Sequence, residues 1–229
     1  MVFAAGDNAY PNGTAANYRD CYDPSWGRHK GRTRPTPGNH EYDTGDASAY
    51  FNYFGANAGP APLGYYSYNL GAWHIVSLNS EVDTRAGGRQ HQWLRDDLAA
   101  HRTGCVAAYW HKPRFSSGPH GNNAHMQDLW NTLYEFGVEI LISGHDHTYE
   151  RFAPQNMSGG LDMDRGIRQF VVGTGGTAMH AITSVQPNSE ARGRDWGVLK
   201  LTLLSGSYEW EFMPVAGASF RDAGRAACH

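Results

Sequence analysis

The sequence predicts a layered α/β sandwich built on two sheets, and three observations carry that prediction. Short apolar runs that stop at Gly or Pro recur along the chain, from Val2–Ala5 onward. In the middle of the chain these runs alternate with segments of helical periodicity. After His147 they follow one another with only Gly, Ser and Asn turns between them. A chain that mixes both orders needs stacked layers of helix and sheet to bury its apolar faces. No linker, internal repeat or low-complexity tract divides the 229 residues, so the reading is a single domain over 1–229.

Each element follows from its local pattern. Val2–Ala5 reads as a buried strand ended by Gly6. Residues 11–52, rich in Gly, Pro, Asn and aromatics, read as long ordered loops with little regular structure. Tyr66, Tyr68 and Leu70 alternate with polar residues, and "WHIVSLNS" follows the Gly71 turn, which predicts a β-hairpin. "GRQHQWLRDDLAAH" sets Trp93, Leu94 and Leu98 on one helical stripe. "CVAAYWHKP" is a small-residue strand halted before Pro113. A helix over 124–136 carries Leu129, Leu133 and Phe136 on one face, with Gly137 as its stop. It leads into the apolar strand "VEILIS", and "RQFVVGTGG", "WGVLKLTLL" and "SYEWEF" supply the later strands.

Composition excludes several classes of partner. A net charge of −3 with only 18% charged residues leaves no basic footprint for nucleic acid. No apolar run approaches the ~18 residues that span a bilayer, and no leader pattern precedes Gly6, so neither a membrane partner nor a signal peptide is read here. Three cysteines, Cys21, Cys105 and Cys228, allow at most one internal bridge. The low charge fraction, the Gly, Tyr and Trp content and the Cys beside the C-terminus point to an exported protein.

The chemistry lies in five stretches, each at the end of a predicted strand or in the loop after it: "GDNAY" (6–10), "GNHEY" (38–42), "YWHKP" (109–113), "SGHDHTYER" (143–151) and "VGTGGT" (172–177). In a layered sheet such loops gather on one edge. Two cations about 3.5 Å apart repel, and a bridging carboxylate such as Asp7 holds them together. Neutral imidazoles suit Zn, Fe and Mn; Asn39 offers an amide oxygen, and Tyr10 a phenolate that favours Fe(III). His145 and His147 lie two residues apart, so they face different ions only if the loop between them bends. His120 and His125 occupy a loop that either closes over substrate or is solvated, and "GTGG" either cradles phosphate or makes a tight turn. The remaining histidines, His74 and His180 among them, show no partner in the sequence.

"GDNAY", "GNHE", "WHKP" and "GHDHTYER", in that order, resemble the motifs of the calcineurin-like metallophosphoesterases, and the Tyr of "GDNAY" resembles their purple acid phosphatase branch. The resemblance implies an α/β/β/α sandwich with two mixed sheets. It implies Asp7 as the bridging ligand, Tyr10 and His147 on the first metal, and Asn39, His111 and His145 on the second. His40 would contact phosphate and assist the leaving oxygen, with Glu41 as its orienting partner. The expected cofactors are two metal ions, Fe(III) with Fe, Zn or Mn, or a Zn/Mn pair. The expected partner is a small phosphorylated substrate, attacked by metal-activated hydroxide.

One motif of that pattern, an Asp on a strand before GDxxY, has no counterpart ahead of Met1. The expectation is therefore a fold lacking the N-terminal strand, a first metal held by three protein ligands, and a second reading in which a shortened relative binds one metal or phosphate with little catalysis. By the same logic Cys228 is a candidate to have its partner upstream.

Overall fold

The computed structural model describes residues 1–101 and 104–229. The early part runs β1 (Val2–Ala5), α1 (Ala15–Asn17), β2 (Thr33–Thr36), α2 (Asn39–Tyr42) and α3 (Ser48–Phe54). The middle runs β3 (Tyr66–Leu70), β4 (Trp73–Ser77), α4 (Arg89–Ala100), β5 (Cys105–Tyr109), α5 (Gln127–Glu135) and β6 (Ile140–Ser143). Strands alone complete the chain: β7 (Tyr149–Phe152), β8 (Arg168–Val172), β9 (Ser189–Gly193), β10 (Gly197–Leu204), β11 (Ser207–Pro214) and β12 (Ala223–Ala227).

A seven-stranded mixed sheet, ordered β3-β4-β5-β6-β8-β7-β9, forms the centre. Its inner strands β4, β5, β6 and β8 are parallel, and the hairpin β3–β4 and the strand β7 are antiparallel additions. The second sheet layer consists of two pieces, the parallel pair β1–β2 and the antiparallel set β10–β11–β12. One face of the central sheet packs under α4 and α5 through Leu94, Leu98, Leu129, Trp130 and Leu133, all buried. Such side chains each contribute about 1.5–3 kcal/mol on burial. The other face meets the second layer through Ile75, Tyr109, Phe170, Tyr208, Trp210 and Phe212, with Phe3 of β1 at its margin. A third cluster, Tyr18, Tyr22, Tyr50 and Phe54, closes the outer side of β1–β2 with short helical turns. The predicted layered α/β architecture is thus observed.

The element predictions fare unevenly for physical reasons. The hairpin pairs Leu70 with Trp73 across Gly71 (φ 61°), and Gly137 (φ 69°) ends α5 as expected. The loop reading of 11–52 missed β2, whose Pro35 argues against a strand. Proline is tolerated because β2 is an edge strand hydrogen-bonded to β1 alone.

A buried ion network joins the two layers. Asp222, 8% exposed, accepts from Tyr149 Oη (2.6 Å), Arg151 Nε (2.8 Å) and Nη2 (3.0 Å), and Trp210 Nε1 (3.1 Å). Burial works against its charge, yet the Arg151 and Tyr149 bonds outweigh it and hold the carboxyl below the usual carboxylate range. A depressed carboxyl pKa contributes stability above the unfolded value of about 3.9, and that stability is lost as pH falls through the folded value. Asp222→Asn is expected to cost about 3 kcal/mol at pH 7. The gap between variant and wild type in urea midpoint should narrow as pH falls through the depressed folded value, below which the Asp222 side chain is neutral like that of Asn. A gap that does not change with pH would show that the charge of Asp222 is not what stabilises.

Candidate metal centre

The motif loops leave the C-terminal ends of parallel strands and converge, as open α/β sheets dictate. β1 ends at Ala5, and the chain turns through Gly6 (φ 85°) and Asp7 (φ 51°). Gly6 is required by space: a Cβ there would lie 2.4 Å from Nδ1 of His111. Gly38, at the end of the β2 segment, is required likewise, since its Cβ would lie 2.3 Å from Asp7 Oδ1. His145 follows β6 and also adopts a left-handed backbone (φ 65°). That is the bend that allows His145 and His147 to diverge.

Two groups of donor atoms share Asp7. In the first, Tyr10 Oη lies 3.2 Å from Asp7 Oδ2 and 3.1 Å from His147 Nε2. In the second, His111 Nε2 lies 3.2 Å from Asp7 Oδ2, 3.1 Å from Asn39 Oδ1 and 3.1 Å from His145 Nδ1. All six sequence-predicted ligands are therefore brought together, divided as the motifs implied. Among the described residues, Asp7, His111 and His145 form one set whose donor atoms lie close enough together to hold a metal ion, and His120, Asp146 and His180 form another.

Tautomers show why a cation fits. The Ala5 carbonyl can only accept, so His111 Nδ1 donates to it (2.8 Å) and Nε2 is the ring atom that faces Asn39, Asp7 and His145; burial opposes a charge on the ring, but Asp7 beside it raises its pKa. The Ala178 carbonyl holds His147 Nδ1 in the same way (2.8 Å), which leaves Nε2 as the lone pair facing Tyr10. Around His111 Nε2 the oxygens of Asp7 and Asn39 and Nδ1 of His145 lie within about 3.2 Å, an arrangement that a positive charge among them, a proton or a metal ion, stabilises. Electrostatics agree. Burial opposes ionisation of Asp7, but His111 beside it and the His40 amide on Oδ1 (3.0 Å) push its pKa well below the usual range. Burial, with His111 and His120 nearby, drives His145 down to about 2 and keeps it neutral for ligation. Burial and Asp7 hold the Tyr10 phenol well above its ordinary pKa, so a phenolate there needs the charge of a cation.

The His40 ring packs at a tilt against Tyr10, with centroids 4.6 Å apart, and directs Nδ1 to the Pro11 carbonyl. Its Nε2 lies 3.9 Å from Asp7 Oδ2, at the mouth of the centre. Glu41 is not its orienting partner. Glu41 is fully buried and accepts from the amides of Asn8 (2.8 Å), Ala9 (3.3 Å) and Gly38 (2.8 Å) and from Tyr18 Oη (3.1 Å), so it staples the "GDNAY" loop to the "GNHE" loop. Burial and the nearby Asp7 push its pKa up to about 7. The sequence suggested a catalytic neighbour because the two residues are adjacent; a helical turn sends adjacent side chains in different directions.

The centre has neighbours that the sequence reading left unassigned. Asp146, fully buried and set between His145 and His147 in the chain, accepts from His120 Nδ1 (2.9 Å) and lies 3.5 Å from His180 Nδ1. The His120 ring packs on His145 (4.1 Å), and the His180 ring on His147 (3.9 Å). No spacing rule could have found His180, which arrives from a loop 33 residues beyond His147. A separate group, His74, Asp97 and His101, ties β4 to the end of α4. "GTGG" lies in the loop that holds His147 through Ala178.

These features define a protein of the metallophosphoesterase class. The family profile described as Calcineurin-like phosphoesterase matches residues 1–149, and the chain belongs to that family. Among its curated relatives, "Purple acid phosphatase 15" of Arabidopsis thaliana is 28% identical over 192 residues, covering 66% of this chain and 35% of that protein. Human "Acid phosphatase type 7" is 27% identical over 209 residues, covering 75% of this chain and 47% of that protein. The chain thus spans less than half the length of these relatives. In fold it is similar to the purple acid phosphatase PPD1 of yellow lupin (Lupinus luteus) seeds, with a TM-score of 0.82 at 20% identity over 99% of this chain and 46% of that one.

Proposed function

We propose that this chain hydrolyses phosphate esters, phosphomonoesters foremost, at a centre of two cations held by Asp7, Tyr10, Asn39, His111, His145 and His147. The observation that carries the reading is the convergence of Tyr10 Oη and His111 Nε2, each from its own group of metal-donor side chains, on Asp7 Oδ2. Its relatives named as acid phosphatases support it. When bound, the cations would supply charge at a phosphoryl oxygen and a nucleophilic water at neutral pH. The chain supplies the rest. His111 and His147 are oriented by backbone carbonyls. His40, with Nδ1 on Pro11, keeps Nε2 free to hand a proton to the leaving oxygen. His120, anchored by Nδ1 on Asp146, keeps Nε2 for the substrate phosphate. The single domain is 1–229, and the partner is a small phosphorylated molecule.

Export is part of the same proposal, and the Cys105–Cys228 disulfide supports it. Among the described residues no helix is long and apolar enough to cross a membrane. A second reading, one occupied site and little turnover, is favoured by the smaller donor set on the Tyr10 side.

Elemental analysis paired with turnover of a chromogenic monoester separates the two. The expected result is about two metal ions per chain and phosphate release restored by Fe(III), Zn or Mn after chelation. A purple colour would report Fe(III) on Tyr10. One ion with background turnover would establish the second reading, and two ions without hydrolysis of mono- or diesters would exclude the first.

A further inference from the structure

We infer that the groove beside the metal centre is a subsite for a flat, uncharged aromatic leaving group, so that aryl phosphomonoesters are the preferred substrates; this rests on the phosphoesterase reading above. The groove, about 430 Å³, is lined by Trp26 and Trp196, by Gly175 and Gly176, and by Met213 and Val215. That volume lies within the range of small-molecule sites. Trp196 is 48% exposed, Met213 46% and Val215 49%, an apolar surface wet in the free protein and available for burial.

Three adjoining carbonyl anchors connect this groove to the catalytic centre. Trp26 Nε1 donates to the Gly175 carbonyl (3.2 Å), and Trp196 Nε1 donates to the Thr177 carbonyl (2.7 Å). The very next carbonyl, Ala178, accepts from His147 Nδ1 (2.8 Å). Adjacent residues are about 3.8 Å apart, so one short loop is both the wall of the groove and the support of a metal ligand. The two indoles are pinned by their only polar atoms and present fixed flat faces.

The lining selects the chemistry of the occupant. Among the described residues no charged side chain lines the groove, so nothing there would take a second phosphate. Thr174, its one side-chain hydroxyl, already donates to the Gly197 carbonyl (2.8 Å), so nothing there favours a polyol. Gly175 and Gly176 have no atom within 4 Å of where a Cβ would stand, which leaves an open, flat backbone floor. A planar ring stacks on such a platform through its face. In the reaction, water adds to phosphorus, the bond from phosphorus to the aryl oxygen breaks, and that oxygen leaves as the phenol after taking a proton, with the ring in the groove.

The test compares 1-naphthyl phosphate with glycerol 2-phosphate on the metal-loaded protein. The aryl ester is expected to have a KM at least about tenfold lower. Met213→Asp should raise that KM about tenfold and leave the KM for glycerol 2-phosphate within about twofold, and Trp196→Ala should raise the KM for the aryl ester about tenfold. Met213→Asp matters because it leaves the loop anchors intact, whereas Trp196→Ala removes one. Equal KM values for the two esters, or equal shifts in both with Met213→Asp, would overturn the subsite. If neither ester is hydrolysed, the phosphoesterase reading fails separately. The subsite is then judged by titrating 1-naphthyl phosphate against tryptophan fluorescence: saturable binding weakened by Met213→Asp upholds it, and no saturable binding overturns it.

Discussion

Asp7→Asn is expected to lower phosphate release by about a thousandfold or more and to leave less than one metal ion bound per chain. Oδ2 of this carboxylate lies 3.2 Å from both Tyr10 and His111, so it is the atom through which the two donor groups meet. Asn preserves the shape, and it also tolerates the left-handed backbone (φ 51°) that other residues resist. The fold should therefore survive, and the loss can be assigned to charge. Without that charge the protein has no carboxylate between the two donor groups to offset the repulsion that two cations there would feel. Thermal unfolding controls for the fold, and elemental analysis reads the metal. A variant that keeps both ions and more than a tenth of the activity would remove Asp7 from the bridging position.

Replacing Cys105 and Cys228 together by Ser should lower the melting temperature by about 5–15 °C. The bridge links residues 123 apart, with Cα atoms at 5.9 Å. Closing a loop of that size restricts the unfolded chain by about 5 kcal/mol on the chain-entropy account, and measured losses for native bridges run at about 2–5 kcal/mol. Each kcal/mol moves the transition of a domain this long by about 2–4 °C. The bond ties β5, a buried central strand, to the segment after β12, and so clamps the second layer on the sheet that carries His111. The partner of Cys228 is thus inside this chain, not upstream of it, and the exposed Cys21 is the free thiol. Thermal scans with and without reductant make the measurement. Identical melting temperatures would show that the bridge does not restrain the unfolded state.

The motif residues were legible because strand ends and glycines mark themselves. Asp7, Asn39, His111 and His145 each follow a short apolar or extended run, and parallel strands place such ends on one edge. What escaped had no local signal. β2 was hidden by Pro35, which only its edge position permits. Asp146 reads in sequence as a spacer between two ligands, yet it is fully buried and anchors His120. Glu41 reads as a companion of His40, yet it serves the backbone of two loops.

By itself the sequence determined the inventory: a layered α/β chain, a set of oxygen and nitrogen donors suited to cations, their order along the strands, and their family. Only the tertiary structure decided which atoms meet. Ligation depends on ring tautomers and backbone angles, and these are set by distant partners: Ala5 for His111, Ala178 for His147, and a left-handed turn for His145. The same holds for the aromatic groove, because Trp26 and Trp196 are 170 residues apart in sequence (196 − 26) and become one surface only where the loop between Gly173 and His180 joins them. Local pattern specifies chemistry within a few residues; sites are built from contacts between residues far apart in the chain, whose geometry no single segment encodes.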